Sequence, residues 1–310
     1  DDLSFQYHVF NHAGYKIRQC ILMHINNEYR REGDLDPKKL LQLEDITEDV
    51  LAKQDNLDAV ATQLVEIRSQ ENEPVVEIGA RCTKPFECDY KSHCWQHVPE
   101  YSIYNIFSAK KADQIYKTTD SFDISDVPDN LYPSGLKRID LDCYLDDVEN
   151  IERDNIVSFL NELEYPLYYL DYETIFPAIP LFDGIRPYQQ IPFQYSLHVQ
   201  NEVGAETSHY EFLHKEISDP RHSLTESLLS SCGNSGSVIV YNKSFEAGIN
   251  NDLAELYPQY ASQLIAINER MVDLMLPFQN RYLYHPNQMG KYSLKKVLPT
   301  FTDLDYDGLE

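Results

Sequence analysis

Apolar positions recur at helical spacing in some stretches of the chain and alternate with polar ones in others. LSFQYHVFNH at 3–12 reads as a short helix closed by Gly14. Residues 17–29 carry an apolar run with an Asn-rich exit, a strand pattern. From 47 to 68, Val50, Leu57, Val60, Leu64 and Ile67 share one helical face, with Asp45 and Thr47 as cap candidates and Glu48 and Asp49 in the first turn. Weaker helical patterns surround 103–117 and 153–163. The Pro- and Asp-bearing stretch 120–150 between them shows no period, so 99–165 reads as a helical connector.

The texture changes at 167. LYYLDYET (167–174) is an aromatic-rich strand ending in acids, PFQYSLHVQ (192–200) alternates, and TSHYEFLH (207–214) follows as a third strand. A helix fits 222–231, VIVYN (238–242) is a continuous apolar strand, and helices fit 244–257 and 259–276. A three-strand meander followed by helix, strand and helix is the layout of a ribonuclease-H-like mixed sheet, an order with which several other folds also begin, and the expected class is α/β of the α+β kind.

Charge narrows the possibilities. Lys plus Arg is 26 and Asp plus Glu is 51, a net charge of −25 shared by both halves of the chain. Such a surface repels polyanions and argues against a sequence-neutral binder of phosphate backbones. It leaves open a metal-dependent nuclease, whose carboxylates are neutralised by cations. The Lys295–Lys296 pair offers local phosphate contacts. No apolar run reaches transmembrane length and no leader pattern is present, so a cytoplasmic protein without a membrane partner is expected. No Walker-type loop, Rossmann glycine fingerprint or Gly-x-Ser-x-Gly elbow occurs.

Asp171 and Glu173 are one residue apart, and on a strand i and i+2 share a face. Two carboxylates leaving a buried strand together are costly unless a cation neutralises them, and paired divalent metals are the usual solution in phosphoryl-transfer sites. The plain alternative is a strand exit into solvent. Four residues separate Asn242 from Glu246 at the next strand-to-helix junction, where an acid also suits the positive end of a helix. The D-x-E and N-x3-E segments resemble the first two motifs of DEDD exonucleases. That superfamily has a ribonuclease-H-like fold and removes nucleotides from 3′ ends with two Mg²⁺ or Mn²⁺ ions. The resemblance implies Asp171, Glu173 and Glu246 as catalytic metal ligands, with Asn242 of the second motif beside substrate; His285, from its place near the expected site edge, and Lys295, from its charge, are the other expected substrate contacts. The second motif usually ends in Asp where this chain has Glu246. No counterpart of the last ligand is found, so the chain is expected to stop short of it.

Three of the six cysteines, Cys82, Cys88 and Cys94, fall in CTKPFECDYKSHC. Thiolates cluster at a cost unless a metal holds them, so the loop reads as an iron–sulfur or zinc site, His97 being a possible fourth zinc ligand. Three free thiols are the alternative. Gln6 and the Cys88-x5-Cys94 spacing resemble the C-terminal half of RecB-like PD-(D/E)XK nucleases of the CRISPR-adaptation type. There a [4Fe–4S] cluster has one cysteine before the nuclease core and three after it, so the remaining ligand and the catalytic residues are expected before Asp1.

Taken together, LMHINNEY, the cysteine loop, YYLDYET, VYNKSFE and YSLKKVLP resemble a bacterial family that fuses such a nuclease region to a DEDD-like domain of unknown function. The implied organisation is a RecB-like region over 1–98, a connector over 99–165 and an exonuclease-like domain over 166–310. The implied activity is metal-dependent processing of nucleic acid, DNA before RNA, by 3′–5′ exonucleolytic phosphodiester hydrolysis. The alternatives are a non-catalytic nucleic-acid-binding or assembly module and a zinc-stabilised scaffold.

Overall fold

Five strands of the second half pair into one mixed sheet in the computed structural model, which describes residues 1–306. The chain divides into two compact units. The first takes Asp1–Val76 together with Thr174–Ile191, and the second takes Glu77–Glu173 and the residues from Pro192 onward.

In the first unit, helix α1 (Asp2–His12) precedes an antiparallel pair, β1 (Ile21–Ile25) and β2 (Leu41–Asp45), in which Ile21 faces Asp45 and Ile25 faces Leu41. The helix expected over 47–68 is two helices, α2 (Thr47–Ala52) and α3 (Leu57–Arg68). Gln54 sits at the break. Its amide donates to the carbonyls of Val50 and Ser4, closing the first helix. Val50 is buried, but α3 buries none of its residues, so the apolar stripe of Val60, Leu64 and Ile67 stays exposed. Neither cap candidate takes the cap position of α2: Ile46 does, with Thr47 inside the first turn and Asp45 just before the cap, accepting the Thr47 N–H at 3.0 Å.

The second unit begins with the cysteine loop, followed by α4 (Ala109–Thr119), α5 (Leu136–Asp146), the short strand β3 (Asn150–Ile151) and α6 (Arg153–Asn161). Ile78 and Val98, which flank the cysteine loop, pack against Ile103, Ala112, Ile115 and Phe122, so both ends of the loop are anchored in a core with the helices that follow it. Helix α5 lies in the stretch read as aperiodic. Its buried face includes Asp140, 0% exposed, and a charge among the inward positions erases the hydrophobic period.

The sheet is built from β4 (Leu167–Ile175), β5 (Ile191–Gln200), β6 (Ser208–Leu213), β7 (Ser237–Val240) and β8 (Met271–Asp273), in the order β6-β5-β4-β7-β8. Strands β5 and β6 are antiparallel, with Tyr195 opposite Phe212, whereas β4 with β7 and β7 with β8 are parallel. This is the meander-then-parallel arrangement expected of a ribonuclease-H-like sheet. Helix α7 (Arg221–Ser231) enters β7, and α8 (Lys243–Leu256) and α9 (Ala261–Glu269) separate β7 from β8. The helix expected over 259–276 therefore ends at Glu269. Met271, Val272 and Asp273 belong to β8, too short to show a period of its own. A short pair of β3 with β9 (Leu283–Tyr284) and the terminal helix α10 (Leu294–Phe301) complete the unit. The core joins Leu170, Tyr172, Leu197, Leu224, Leu228, Val238, Ile249, Leu253 and Leu264. Among the described residues no helix is long and apolar enough to cross a membrane.

Candidate functional site

Strand β4 alternates as its sequence dictates. Tyr168, Leu170 and Tyr172 are buried, and the residues between and beyond them, Asp171 and Glu173, emerge together on the other face. That face is open, so the two carboxylates do not leave a strand buried on both sides. The surrounding protein nonetheless strips enough water from Asp171 to raise its carboxyl above the usual range, and Glu173 raises it further.

Glu246 enters from the first turn of α8. It is 2% exposed, and its Oε2 has no hydrogen-bond partner. Burial is the largest cause pushing this carboxyl up to about 8, with Asp171 and Glu173 adding repulsion and the backbone N–H of Tyr172 opposing it. The three carboxylates thus act on one another across the boundary between β4 and α8. None of the groups acting on Glu246 is a cation.

The turn carrying Glu246 is held by Asp273, a residue that no motif of the sequence singles out. Asp273 ends β8 and is 8% exposed. Its Oδ1 accepts the N–H groups of Asn242 and Met275, both at 3.0 Å, and its Oδ2 accepts the N–H of Lys243 at 2.9 Å. Orphan donors at the start of α8 are thereby satisfied from the neighbouring strand. Asn242 sits in the left-handed region at φ 81°, and its Oδ1 accepts from Ser244 Oγ at 2.7 Å. Lys243 Nζ is bonded to the Met271 carbonyl at 2.8 Å.

The other expected substrate contacts lie elsewhere in the same unit. His285 caps the turn Pro286–Gln288, its Nδ1 accepting the Asn287 N–H at 3.1 Å, and its Nε2 is 3.7 Å from Glu149. Lys295 is exposed on α10, with Nζ 5.7 Å from the Tyr306 ring centre. Among the described residues, no hydrogen bond or ion pair joins either side chain to the acidic trio.

The cysteine loop is folded by its backbone: the Cys88 N–H donates to the Cys82 carbonyl at 2.9 Å, and the Lys91 N–H to that of Cys88 at 2.9 Å. Cys94 closes the one-turn helix Lys91–Cys94. Cys88 is exposed, and Cys82 and Cys94 are half-buried. His97 packs its ring 5.4 Å from that of Phe122. Among the described residues, one group of three or more His, Cys, Asp or Glu side chains has its ligand atoms all within 4.8 Å of one another: His8, His12 and Asp58. Neither the thiols nor the acidic trio is drawn together that closely.

Residues 168–293, less than half of the chain, match a family model described as a domain of unknown function (DUF2779). The matched span includes Asp171, Glu173, Glu246 and Asp273. No curated protein and no solved structure matches the chain.

Proposed function

We propose that the acidic edge formed by β4 and α8 binds divalent cations and hydrolyses phosphodiester bonds in nucleic acid, DNA before RNA, in the manner of a 3′–5′ exonuclease. The observation that carries this reading is Glu246: a buried carboxylate with one unpartnered oxygen, facing two further carboxylates and no cation. Left so, three acids destabilise the fold. An all-carboxylate donor set fits Mg²⁺ or Mn²⁺, which take hard oxygen ligands, and Asp171, Glu173 and Glu246 would hold them. When bound, such ions lower the pKa of an attacking water and stabilise the leaving 3′ oxygen.

The chain itself sets the positions. Asp171 and Glu173 remain open to solvent, the side from which a polyanion and its water arrive, while Glu246 closes the site from within. Asp273 fixes the turn that aims Glu246. With a net charge of −25, the protein repels a nucleic acid backbone unless cations intervene, so the reading requires strictly metal-dependent binding as well as cleavage.

The test measures Mn²⁺ binding by electron paramagnetic resonance alongside nucleotide release from 3′-labelled single-stranded DNA. Asp171→Ala is expected to weaken Mn²⁺ binding and to lower release by about 100-fold or more. Circular dichroism serves as the folding control. Equal release by the variant and its parent, or unchanged Mn²⁺ binding in Asp171→Ala and Glu246→Ala, would overturn the reading.

A further inference from the structure

Helix α1 places His8 and His12 four residues apart, so both rings leave the same helical face, their centroids 4.2 Å apart. Asp58, in the first turn of α3, meets them with a single oxygen. Its Oδ1 lies 3.4 Å from His8 Nε2 and 3.3 Å from His12 Nε2. We propose that His8, His12 and Asp58 bind a zinc-class divalent transition-metal ion, at a site separate from the acidic trio and the cysteine loop.

The separations select the geometry. An ion about 2.0–2.1 Å from each ligand has ligand–ligand edges of about 3.3–3.4 Å if tetrahedral and about 2.9–3.0 Å if octahedral. The two separations from Asp58 match tetrahedral edges, and the ligand atoms of all three side chains lie within 4.8 Å of one another. Both separations are too long for a direct charge-assisted N–H···O bond, which spans about 2.7–2.9 Å. The donor chemistry agrees: two imidazoles and one carboxylate suit Zn²⁺, whereas Mg²⁺ and Ca²⁺ favour oxygen alone.

The hydrogen bonding of His12 points the same way. Its Nδ1 lies 2.9 Å from the carbonyl oxygen of His8, and a ring nitrogen facing a carbonyl is the one that carries the proton. In the neutral ring this turns the Nε2 lone pair toward Asp58. Lone pair and carboxylate oxygen then face each other, an arrangement that a cation between them stabilises. A carbonyl that orients a ligating histidine from behind is a recurrent feature of zinc sites. Exposure supplies access. The side chain of His8 is 11% exposed, that of His12 57% and that of Asp58 78%, which leaves the fourth tetrahedral position to water.

The rival account is a direct pairing of protonated imidazoles with Asp58, and metal titration separates the two. Co²⁺ serves as the probe, added to the full chain, because tetrahedral Co²⁺ absorbs strongly in the visible range. Any Co²⁺ held by the cysteine loop is recognised by its near-ultraviolet sulfur charge-transfer bands, and any at the acidic trio, six-coordinate among oxygens, by its weak visible absorption and its loss in Asp171→Ala. The wild-type chain is expected to bind one equivalent with nitrogen–oxygen ligation that His12→Ala weakens by about tenfold or more, and Asp58→Asn likewise. His12→Cys should restore binding and add one sulfur band. His12 is exposed, so its variants keep the fold, with circular dichroism as the check. Should His8→Ala unfold, His12→Ala and Asp58→Asn decide alone. Identical Co²⁺ stoichiometry and affinity in the wild type, His12→Ala and Asp58→Asn would overturn the proposal.

Discussion

The hydroxyl of Tyr172 donates to Asn250 Oδ1 at 2.8 Å inside the core of the second unit. Tyr172 lies between Asp171 and Glu173 on β4, and Asn250 lies one turn beyond Glu246 on α8, so this bond ties together the two elements that carry the acids. It continues outward: Asn250 Nδ2 donates to Asn268 Oδ1 at 2.8 Å, and Asn268 donates to Asn251 Oδ1 at 3.0 Å. A buried, satisfied polar chain of this kind fixes one packing where an apolar contact would tolerate several.

Tyr172→Phe removes the donor and leaves the Asn250 acceptor unpaired in a site that is 0% exposed. The expected cost is about 1–3 kcal/mol, read as a lowered urea midpoint. Mn²⁺ affinity at the acidic edge should fall in the same variant, because the spacing of β4 and α8 relaxes. Tyr169→Phe, on the exposed face of β4, is the control and should change neither.

Much of this arrangement is legible in the sequence. β4, β5 and β6 are long enough for their alternation to declare them, and the i, i+2 rule puts Asp171 and Glu173 on one face without further information. Glu246 is locatable from its four-residue spacing to Asn242. What stays hidden is what long-range pairing creates. Asp140 makes α5 look aperiodic because its partner, Arg281, is remote in sequence. Asp273 looks like a charge ending an apolar helix until β8 pairs with β7. The His8–His12–Asp58 group needs α1 and α3 side by side. A sharper signal was available there: histidines at i and i+4 on one short helix.

Arg281 and Asp140 make a buried two-pronged pair, Nε to Oδ1 at 2.6 Å and a terminal nitrogen to Oδ2 at 3.0 Å, with exposures of 3% and 0%. Arg281→Ala leaves the buried carboxylate only Lys137, 3.9 Å away and partly exposed, and is expected to cost about 3–5 kcal/mol. Replacing both, Arg281→Met with Asp140→Leu, should recover most of that loss. A double variant no more stable than Arg281→Ala in urea denaturation would show that the guanidinium bonds to the Phe278, Gln279 and Gly290 carbonyls matter more than the ion pair.

Gly236 leads into β7 at φ 85°, and a Cβ there would overlap the backbone of Pro166. The parallel register of β4 with β7 begins one residue later on both strands, at Leu167 opposite Ser237. Gly236→Ala should therefore cost about 1–3 kcal/mol from its backbone conformation alone, with the overlap in addition. Gly248 is the comparison, because a Cβ added there would meet nothing within 4 Å. Gly248→Ala lies within α8 and should be neutral or slightly stabilising in thermal denaturation.

The raised carboxyl of Glu246 sets how stability without metal depends on pH. Its folded-state value is pushed to about 8, above the ordinary carboxylate value of an unfolded chain. Between the two, the folded protein holds a proton that the unfolded chain has released. The stabilising contribution is complete below the ordinary carboxylate range and is lost as pH rises through about 8. One retained proton gives a slope approaching about 1.4 kcal/mol per pH unit. In the presence of a chelator, the melting temperature of the wild type should therefore fall from weakly acidic to alkaline pH. Glu246→Gln, which cannot ionise, should flatten that fall, and the upward shift at Asp171 should leave a smaller slope of the same sign. Mn²⁺ should raise the wild-type melting temperature most at alkaline pH, where it competes with no proton for Glu246, and should release protons on binding near neutrality. Calorimetry in two buffers of different ionisation enthalpy measures that release. A wild-type melting temperature that tracks Glu246→Gln across the whole pH range would show that Glu246 keeps an ordinary carboxyl and that the acidic edge holds no stored repulsion for a cation to relieve.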